Sequence, residues 1–389
     1  MFRPLVQHMT QRQTISLDDA CEFIVDCLHH TAPIQEDGYP SIRTPNIGKG
    51  RLLLDGVNRV SDETYRIWTQ RAIPEPGDLI LAREAPAGNV AIIKEGEKVC
   101  LGQRTVHLRP NVKIVDPDFL CYFLLAPPQQ GKLLAAETGA TAKHVNMLDI
   151  RRLELSNLPD LPSQRAAGEM LAAYDDLIEN NRRRMALLEE SARLLYREWF
   201  VRMRFPGYEH TRIIDGVPQG WERAPLEDAL VLQRGFDLPT QDRQDGTVSI
   251  YGSTGVLGYH DKAKATAPGV VTGRSGTLGQ VQYVAEDYWP LNTALWVKEF
   301  RRVTPLFALF LLREMDLKQF NGGASVPTLD RKSVHRVEIL IPSSLLLRSF
   351  DDFAVDVFAQ IKSLNTQNQK LRAARDLLLP RLMSGEVAV

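Results

Sequence analysis

Cysteine is scarce in this chain, and its spacing fits neither a metal site nor a redox pair. The four cysteines, Cys21, Cys27, Cys100 and Cys121, lie in the first third of the 389 residues and form no C-x-x-C pair. Structural zinc sites use closely spaced ligands, and none of the eight histidines has such a spacing either. We therefore expect buried or incidental thiols and no bound metal.

Long apolar runs and an excess of positive charge are also absent. The start of the chain (MFRPLVQHMTQRQT) has no apolar signal core, and no stretch approaches ~18 consecutive apolar residues. We expect a soluble, cytoplasmic protein with no membrane partner. The 47 basic and 48 acidic residues give a formal net charge of −1. Because DNA-binding domains are usually basic, any DNA-binding face must concentrate its cations locally.

The chain contains an internal duplication, for which 389 residues leave room, since they are enough for two or three domains. Residues 139–155 (GATAKHVNMLDIRRLEL) align with 323–339 (GASVPTLDRKSVHRVEI) at an offset of 184. Upstream the register drifts by a few residues, and there Arg83 aligns with Arg274. Solenoid repeats are much shorter, ~20–50 residues. The two halves share one plan, a mixed region followed by a long helix.

Each mixed region contains short strand-like runs separated by Pro and Gly, followed by a short apolar helix. The two short helices are expected from Phe119 to Leu125 and from Leu306 to Leu312. This pattern predicts an α+β domain in each half. The strand-like runs are 78–82, 89–93, 269–272 and 280–284.

A long heptad pattern follows each mixed region. Apolar residues spaced three and four apart predict a helix that packs lengthwise on another helix. With two such helices in the sequence, we predict that they pack on each other, antiparallel, as a coiled coil. The packing residues are Leu171, Tyr174, Ile178, Asn181, Met185, Leu188 and Leu195 in the first helix and Val357, Ile361, Leu364, Asn368, Leu371 and Leu378 in the second, where Arg375 interrupts the pattern.

Polar residues and prolines in these helices need an interpretation of their own. Asn181 and Asn368 each lie within a heptad pattern. A buried Asn often fixes the register of paired helices at a cost in stability, and an ordinary solvated position is the alternative. Pro380 is expected to break the second helix, and residues 206–207 (PG) are expected to end the first. At the end of the first pattern, residues 199–200 (WF) either fill a core or form a subunit interface.

Motifs that look catalytic fail on their own chemistry. Residues 116–119 (DPDF) are close to the D/N-P-P-Y/F motif with which amino-methyltransferases bind a flipped base, but the third residue is Asp and no Gly-rich cofactor loop precedes it. The other half has TPLF at 304–307, and Asp or Thr before Pro is typical of a helix start. Residues 48–50 (GKG) lack the spacing of a phosphate-binding loop. We predict no catalytic residue.

Further motifs lie in and around the two long helices and cover both halves of the chain. They are 139–146 (GATAKHVN), 178–184 (IENNRRR), 187–190 (LLEE), 195–200 (LYREWF), 204–207 (RFPG), 217–221 (VPQGW) and 375–386 (RDLLLPRLMSGE). In these motifs the sequence resembles the specificity subunits of type I restriction–modification systems.

The resemblance implies a chain that is not catalytic by itself and holds no cofactor. Two target-recognition domains would each read one half of an asymmetric, gapped site in double-stranded DNA, and the helices would set the spacing. The partners would be two modification subunits, which methylate adenine at N6 with S-adenosylmethionine, and restriction subunits, which use ATP and Mg. Because the two halves differ strongly in sequence, we expect unlike half-sites.

The fold class that follows is α+β, with two duplicated target-recognition domains separated by two long, mutually packed, antiparallel coiled-coil helices. Residues 1–158 would form the first domain and 159–205 the first spacer helix. Residues 206–342 would form a linker and the second domain, and 343–389 the second spacer helix and the C-terminal tail.

Candidate DNA contacts are polar and basic loop residues, because phosphate contacts position a protein and base-edge contacts specify sequence. For every member of this pool a solvated surface residue is the alternative. Arg83 and Arg274 stand out because both halves keep Arg there; their alternative is pairing with a nearby acid such as Glu84. The pool is Arg43, Thr44, Asn46, Lys49, Arg51, Arg83, Thr141, Lys143 and His144 in the first domain and Tyr251, Ser253, Thr254, Arg274, Ser275, Thr277, Ser325 and Thr328 in the second.

Two other functions stay open at this stage. A self-contained DNA methyltransferase or nuclease would need a cofactor loop and a catalytic motif, and the sequence supplies neither. A scaffold that binds only proteins would bind its partners without any DNA.

Overall fold

The computed structural model describes residues 13–138 and 143–387, and these form two compact units. The first unit combines Met1–Asn181 with Gln367–Val389, and the second is Arg182–Thr366. Both unit boundaries fall inside long helices. Each unit therefore holds one mixed region together with a part of each long helix.

The first unit is built on two sheets. Its main sheet has the strand order β2-β9-β6-β7-β4, antiparallel except where β4 joins β7, and its smaller sheet has the order β5-β3-β8, with β3 parallel to β8. The short pairs β1-β12 and β10-β11 complete it. The strands β1 to β12 are Gln13–Ser16, Cys21–Asp26, Tyr39–Ile42, Gly50–Arg51, Arg59–Val60, Leu79–Ala82, Val90–Ile92, Cys100–Leu101, Thr105–Pro110, Glu137–Thr138, His144–Val145 and Glu154–Leu158.

The helices of the first unit cover the main sheet and lead into the first long helix. Strand β6 reads Leu-Ile-Leu-Ala without polar alternation because it is buried on both faces. Leu79 and Leu81 lie in one apolar cluster with Phe119 of α2, and Ile80 lies in a second with Ile42. The helices α1 to α5 are Asp62–Trp68, Pro117–Leu125, Pro127–Ala135, Met147–Arg151 and Leu161–Tyr196, and a 3-10 turn spans Thr44–Asn46.

The second unit repeats this topology without a counterpart of β4 in its main sheet. Its main sheet has the order β16-β22-β19-β20, its smaller sheet has the order β18-β17-β21 with β17 parallel to β21, and β15 pairs with β23 as β1 pairs with β12. The strands β13 to β23 are Ile213–Ile214, Val217–Pro218, Glu222–Pro225, Leu230–Arg234, Val248–Gly252, Gly255–His260, Gly269–Gly273, Val281–Val284, Tyr288–Pro290, Ala294–Phe300 and Glu338–Ile341; the helices α6 to α9 are Leu226–Ala229, Pro305–Glu314, Arg331–His335 and Ser344–Ser384.

The matching topology confirms the duplication, and the predicted strands and short helices lie within two residues of the observed ones. The motif at 116–119 is a helix start, as predicted: Asp116 Oδ1 accepts a hydrogen bond from the Phe119 amide at 2.9 Å. Thr304 Oγ1 accepts the equivalent bond from the Phe307 amide at 3.4 Å. Each capping residue is followed by Pro at the first helical position. The two alignable motifs therefore have one structural role.

The two long helices run antiparallel within the first unit, where residues of α5 meet those of α9 in reverse order. Asn181 Nδ2 donates to Asn368 Oδ1 at 3.0 Å, and Asn368 Nδ2 donates to the Ile178 carbonyl at 3.1 Å. Asp175, one turn or more earlier in α5, meets Arg375, which comes later in α9. Both Asn side chains are buried. Each thus offsets the desolvation of the other.

The predicted packing residues differ in how deeply they are covered. In the second unit, Leu188 and Ala192 lie in one apolar cluster with Val357 and Ile361, and Phe200 is part of the same core. Leu171, Ile178, Asn181, Val357, Leu364 and Asn368 are buried, whereas Tyr174, Met185, Leu188, Leu195, Ile361, Leu371 and Leu378 are half-buried.

Two expectations about the helix ends were wrong. Pro380 does not break α9, which continues to Ser384. An internal Pro costs about 3 kcal/mol, but the turn after Pro380 buries Leu382 and Met383 in the core of the first unit, and each such side chain contributes about 1.5–3 kcal/mol. The first helix does not reach residues 206–207; a π-helical turn closes it at Arg197–Val201, and Met203 then turns the chain with a φ of 58°.

A buried ionic network anchors the start of β6 to β9. Asp78, 2% exposed, accepts from Arg109 Nε and Nη2 at 2.8 Å each and lies 2.7 Å from His107 Nε2. The Glu75 amide donates to it at 2.9 Å. Burial by itself raises the pKa of Asp78, but the hydrogen bonds from Arg109, His107 and the Glu75 amide outweigh it and hold the pKa below the ordinary aspartate value. The carboxylate is therefore stabilised in its charged form.

Replacing this carboxylate should destabilise the protein in a pH-dependent way. We expect Asp78→Asn to lower the free energy of unfolding by about 1.5–3 kcal/mol at pH 7, the range for hydrogen bonds to charged groups. The lowered pKa means that the stabilisation is complete above the unfolded-state pKa of about 4 and is lost as the pH falls below it. Urea unfolding at several pH values measures the gap, that is, the difference in the free energy of unfolding between the unmodified protein and Asp78→Asn. Asp37→Asn, at an exposed position, is the control. A gap that stays constant down to the lowest pH at which both proteins are folded would contradict this account.

Candidate nucleic-acid interface

Loops from several elements of the first unit meet in what we call the first loop cluster, residues 43–46, 83–86, 103–104 and 143–145. Thr44 Oγ1 donates to the Ala85 carbonyl at 3.3 Å. The Arg83 amide donates to the Arg104 carbonyl at 3.1 Å, and the Val145 amide donates to the Arg83 carbonyl at 2.9 Å. The structure thus brings Arg43, Thr44, Asn46, Arg83, Lys143 and His144 of the predicted pool into one region.

The Arg83 side chain is half-buried and faces an acid, though not the acid expected. Its Nη1 lies 4.0 Å from Asp26 Oδ2, and its side chain is 17% exposed. Asp26 also accepts from Arg71 Nη1 at 2.6 Å and lies 3.1 Å from His29 Nε2. Glu84, the expected partner, instead pairs with Arg104 at 3.1 Å. Arg83 therefore lies at the edge of a charged network that leaves its guanidinium partly accessible.

Other members of the first-domain pool lie outside the first loop cluster or outside the described residues. Arg51 pairs with Asp176 of α5. Lys49 is exposed and lines a groove with Tyr122 and Arg375. Both cations thus lie beside long-helix segments of the first unit and not in the first loop cluster. Thr141 lies outside the described residues.

The corresponding loops of the second unit form the second loop cluster, residues 251–254, 274–279, 291–293 and 321–328. Ser275 is bridged to Thr328, and the Gly276 amide donates to the Pro327 carbonyl at 2.9 Å. Arg274 Nη1 donates to the Asn292 carbonyl at 3.0 Å. The predicted Ser253, Thr254, Arg274, Ser275, Thr277, Ser325 and Thr328 all belong to this cluster.

Tyr251 has a different environment from the rest of the pool. Its ring is half-buried and packs edge-on against Tyr288 at a centroid distance of 5.8 Å. Burial raises the pKa of its phenol above the ordinary value. Most of this side chain therefore contributes to the small-sheet core, although residue 251 belongs to the second loop cluster.

Sequence reasoning missed residues that shape both clusters. Asn321 Oδ1 accepts from the amides of Gly323 at 3.0 Å and Thr328 at 2.8 Å, and so holds the 321–328 loop closed. The sequence signal was present, since Asn followed by two Gly is typical of a turn. Arg104, with a φ of 68°, carries the exposed charge next to Glu84. No periodic or duplicated pattern marks it.

The four cysteines are buried, and burial controls their chemistry. Burial raises the pKa of Cys21, Cys27 and Cys100 to about 12 and that of Cys121 further, so these thiols stay protonated at neutral pH. Within 13–138 and 143–387, no group of His, Cys, Asp or Glu is arranged to hold a metal ion. None of the helices in these ranges combines the length and apolarity that crossing a bilayer requires.

Known proteins resemble this chain along most of its length. The family model for the type I restriction modification DNA specificity domain matches residues 29–190. The MjaIX specificity subunit of Methanocaldococcus jannaschii is 22% identical over 86% of this chain and 83% of its own length. The HindI specificity subunit of Haemophilus influenzae is 20% identical over 90% and 95%, respectively.

A solved structure has a fold similar to that of this chain. The crystal structure of a type I restriction–modification S subunit from M. genitalium matches 97% of each chain with a TM-score of 0.58 at 15% identity. The fold, the duplicated topology and the matched relatives agree with the resemblance found in the sequence motifs. Residues 29–190 thus match the type I restriction modification DNA specificity domain, and along most of its length the chain is similar to specificity subunits of type I restriction–modification systems.

Proposed function

We propose that this chain selects the DNA site at which partner enzymes act, each loop cluster reading one half of an asymmetric, gapped sequence. One observation supports this most strongly: two units of the same topology carry chemically unlike loops. The first cluster is rich in charge, with Arg83, Arg104 and Glu84. The second keeps one charged residue, Arg274, and otherwise presents hydroxyls such as Ser275 and Thr277. Arg pairs best with guanine edges, whereas hydroxyls accept any base, so unlike half-sites follow.

We infer that the catalytic work belongs to partners. Two modification subunits would methylate adenine with S-adenosylmethionine, restriction subunits would use ATP and Mg, and this chain would bring no cofactor. Exposed apolar residues on the long helices suit subunit docking, since large apolar side chains on an outer helix face favour protein partners. Leu187 is 71% exposed, and Leu177, Leu345 and Leu377 are similarly open. Its place of action would be the cytoplasm, where its DNA substrate lies.

Genome-wide mapping of methylated adenine tests the proposal. The chain is co-expressed with its cognate modification subunit, and each is also expressed alone. We expect methylation at one asymmetric, gapped motif in the co-expressing cells and none in the other two. Methylation by this chain alone would reveal an active site of its own. No methylation in any of the three, with a stable complex isolated, would favour a scaffold that binds only proteins.

A further inference from the structure

An open groove borders the second loop cluster. It is lined by the turn 276–280, by Lys318 and by Asn321 and Pro327. Gly276 and Gly279 both have a φ of +86°, a left-handed conformation that favours glycine. The turn therefore has no side chain at two of the positions that line the groove.

Three backbone amides of this turn donate no hydrogen bond to the described part of the chain. In the part of the chain that the structure describes, no oxygen accepts a hydrogen bond from the amides of Thr277, Leu278 or Gly279. Successive free N–H groups in a turn can form an anion-binding concavity. The residues that line the groove thus include these three unpaired amides and no carboxylate.

Lys318 adds a full positive charge to the groove. It lies exposed on the 3-10 turn Leu317–Phe320, which the buried Leu317 anchors. Its aliphatic stem crosses Gly279: a Cβ at Gly279 would lie 3.3 Å from Lys318 Cγ and 3.4 Å from Cε. Among the described residues, no acid forms an ion pair or a hydrogen bond with its ammonium group. Glycine at 279 therefore lets an unpaired cation lie along the turn.

The equivalent position of the first unit holds a neutral side chain that is already hydrogen-bonded. Gly88 corresponds to Gly279 and also has a positive φ, 94°. There Gln130 takes the place of Lys318, and its Nε2 donates to the carbonyls of Gly88 at 2.8 Å and Leu124 at 2.7 Å. The duplicated glycine is kept, but its neighbour is neutral and already hydrogen-bonded. The free cation is thus a property of the second unit alone in this comparison.

We propose that Lys318 and the amides of residues 277–279 hold one phosphate of the DNA backbone and so position the second recognition domain on its half-site. This inference rests on the proposed function. A lysine ammonium beside free backbone N–H groups is the donor set that proteins use for phosphates. Such a contact neutralises one phosphate and carries no sequence information. The first unit has no equivalent contact at Gln130.

The test uses the chain assembled with its modification subunits. Binding is measured from 50 to 300 mM salt, about the range in which such contacts are resolved. One duplex carries the mapped motif and another of equal length has it scrambled. Lys318→Gln, which copies the first unit, should reduce affinity on both duplexes about 3- to 10-fold and make the slope of log K against log salt less negative by about 0.9. Lys318→Arg should keep most of the slope.

Lys298→Gln, an exposed lysine of the same unit on β22, is the matched control and should leave the slope unchanged. An unchanged slope for Lys318→Gln, or a change as large in the control, would overturn the phosphate contact. A changed methylation motif would make Lys318 a base contact and overturn it as well. If the unmodified complex binds neither duplex, the proposed function fails and this inference fails with it.

Discussion

A heptad inserted at the same point of both long helices is expected to lengthen the gap in the recognised DNA site by about three base pairs and to leave both half-sites unchanged. The insertion points are between Asn181 and Arg182 and between Thr366 and Gln367, where the two compact units divide. Seven residues add about 10.5 Å of helix, and B-DNA advances about 3.4 Å for each base pair. Genome-wide methylation mapping measures the gap directly.

The choice of points and of seven residues keeps the helix packing intact. A heptad preserves the 3-4 spacing. Insertion in both helices leaves the contact of Asn181 with Asn368 in the first unit and the cluster of Ala192 with Val357 in the second. A five-residue insertion at both points is the control. It rotates the apolar stripe by about 140°, so the helices no longer pack and methylation of the motif should be abolished. Altered half-site sequences, or an unaltered gap, would mean that the helices do not set the spacing.

Arg375→Met is expected to destabilise the first unit by about 3–5 kcal/mol, since removing one partner of a buried ion pair leaves the other charge unpaired. Arg375 is 13% exposed and pairs with Asp175, which is 4% exposed. Tyr122 Oη donates to the other oxygen of Asp175 at 2.6 Å. Burial and the adjacent Asp175 carboxylate raise the pKa of Tyr122, so its phenol stays protonated and cannot replace the lost cation.

A double variant separates this reason from a loss of packing. Asp175→Leu combined with Arg375→Met removes both charges, and a buried pair replaced by apolar side chains is often neutral in stability. We expect it to recover most of the loss in urea unfolding. Arg372→Met, an exposed arginine one turn earlier in α9, should change little. If the double variant is as unstable as the single one, the side-chain volume of Arg375, and not its charge, stabilises the helix pair.

Local patterns in the sequence were enough for the architecture. The 184-residue offset gave two copies of one topology, because the two matching runs align directly. The Asp116 and Thr304 caps gave the starts of the two short helices, because a cap depends on residues that are close in sequence. The heptad pattern likewise gave two helices that pack together. The caps and the heptads are each complete within a short window of the chain, and the duplication is a direct alignment of two such windows.

The function of individual side chains was decided by contacts between distant parts of the chain. The heptad pattern presents Arg375 as an interruption, and only the fold pairs it with Asp175, 200 residues away. Arg51 stays a predicted DNA contact, and only the fold shows that β4 places it beside Asp176. Lys318 gave no sequence signal, because its chemistry comes from the glycine turn beneath it.

The same division explains the helix end at Pro380. Local propensity predicts a break there, whereas the burial of Leu382 and Met383 in the core of the first unit keeps the last turn helical. Sequence by itself thus determined the duplicated α+β plan and the paired helices, because periodicity and capping act locally. Tertiary structure decided which charges are paired, which loops meet and how Lys318 lies along the glycine turn. The reason is that burial and electrostatics depend on neighbours that the order of residues does not reveal.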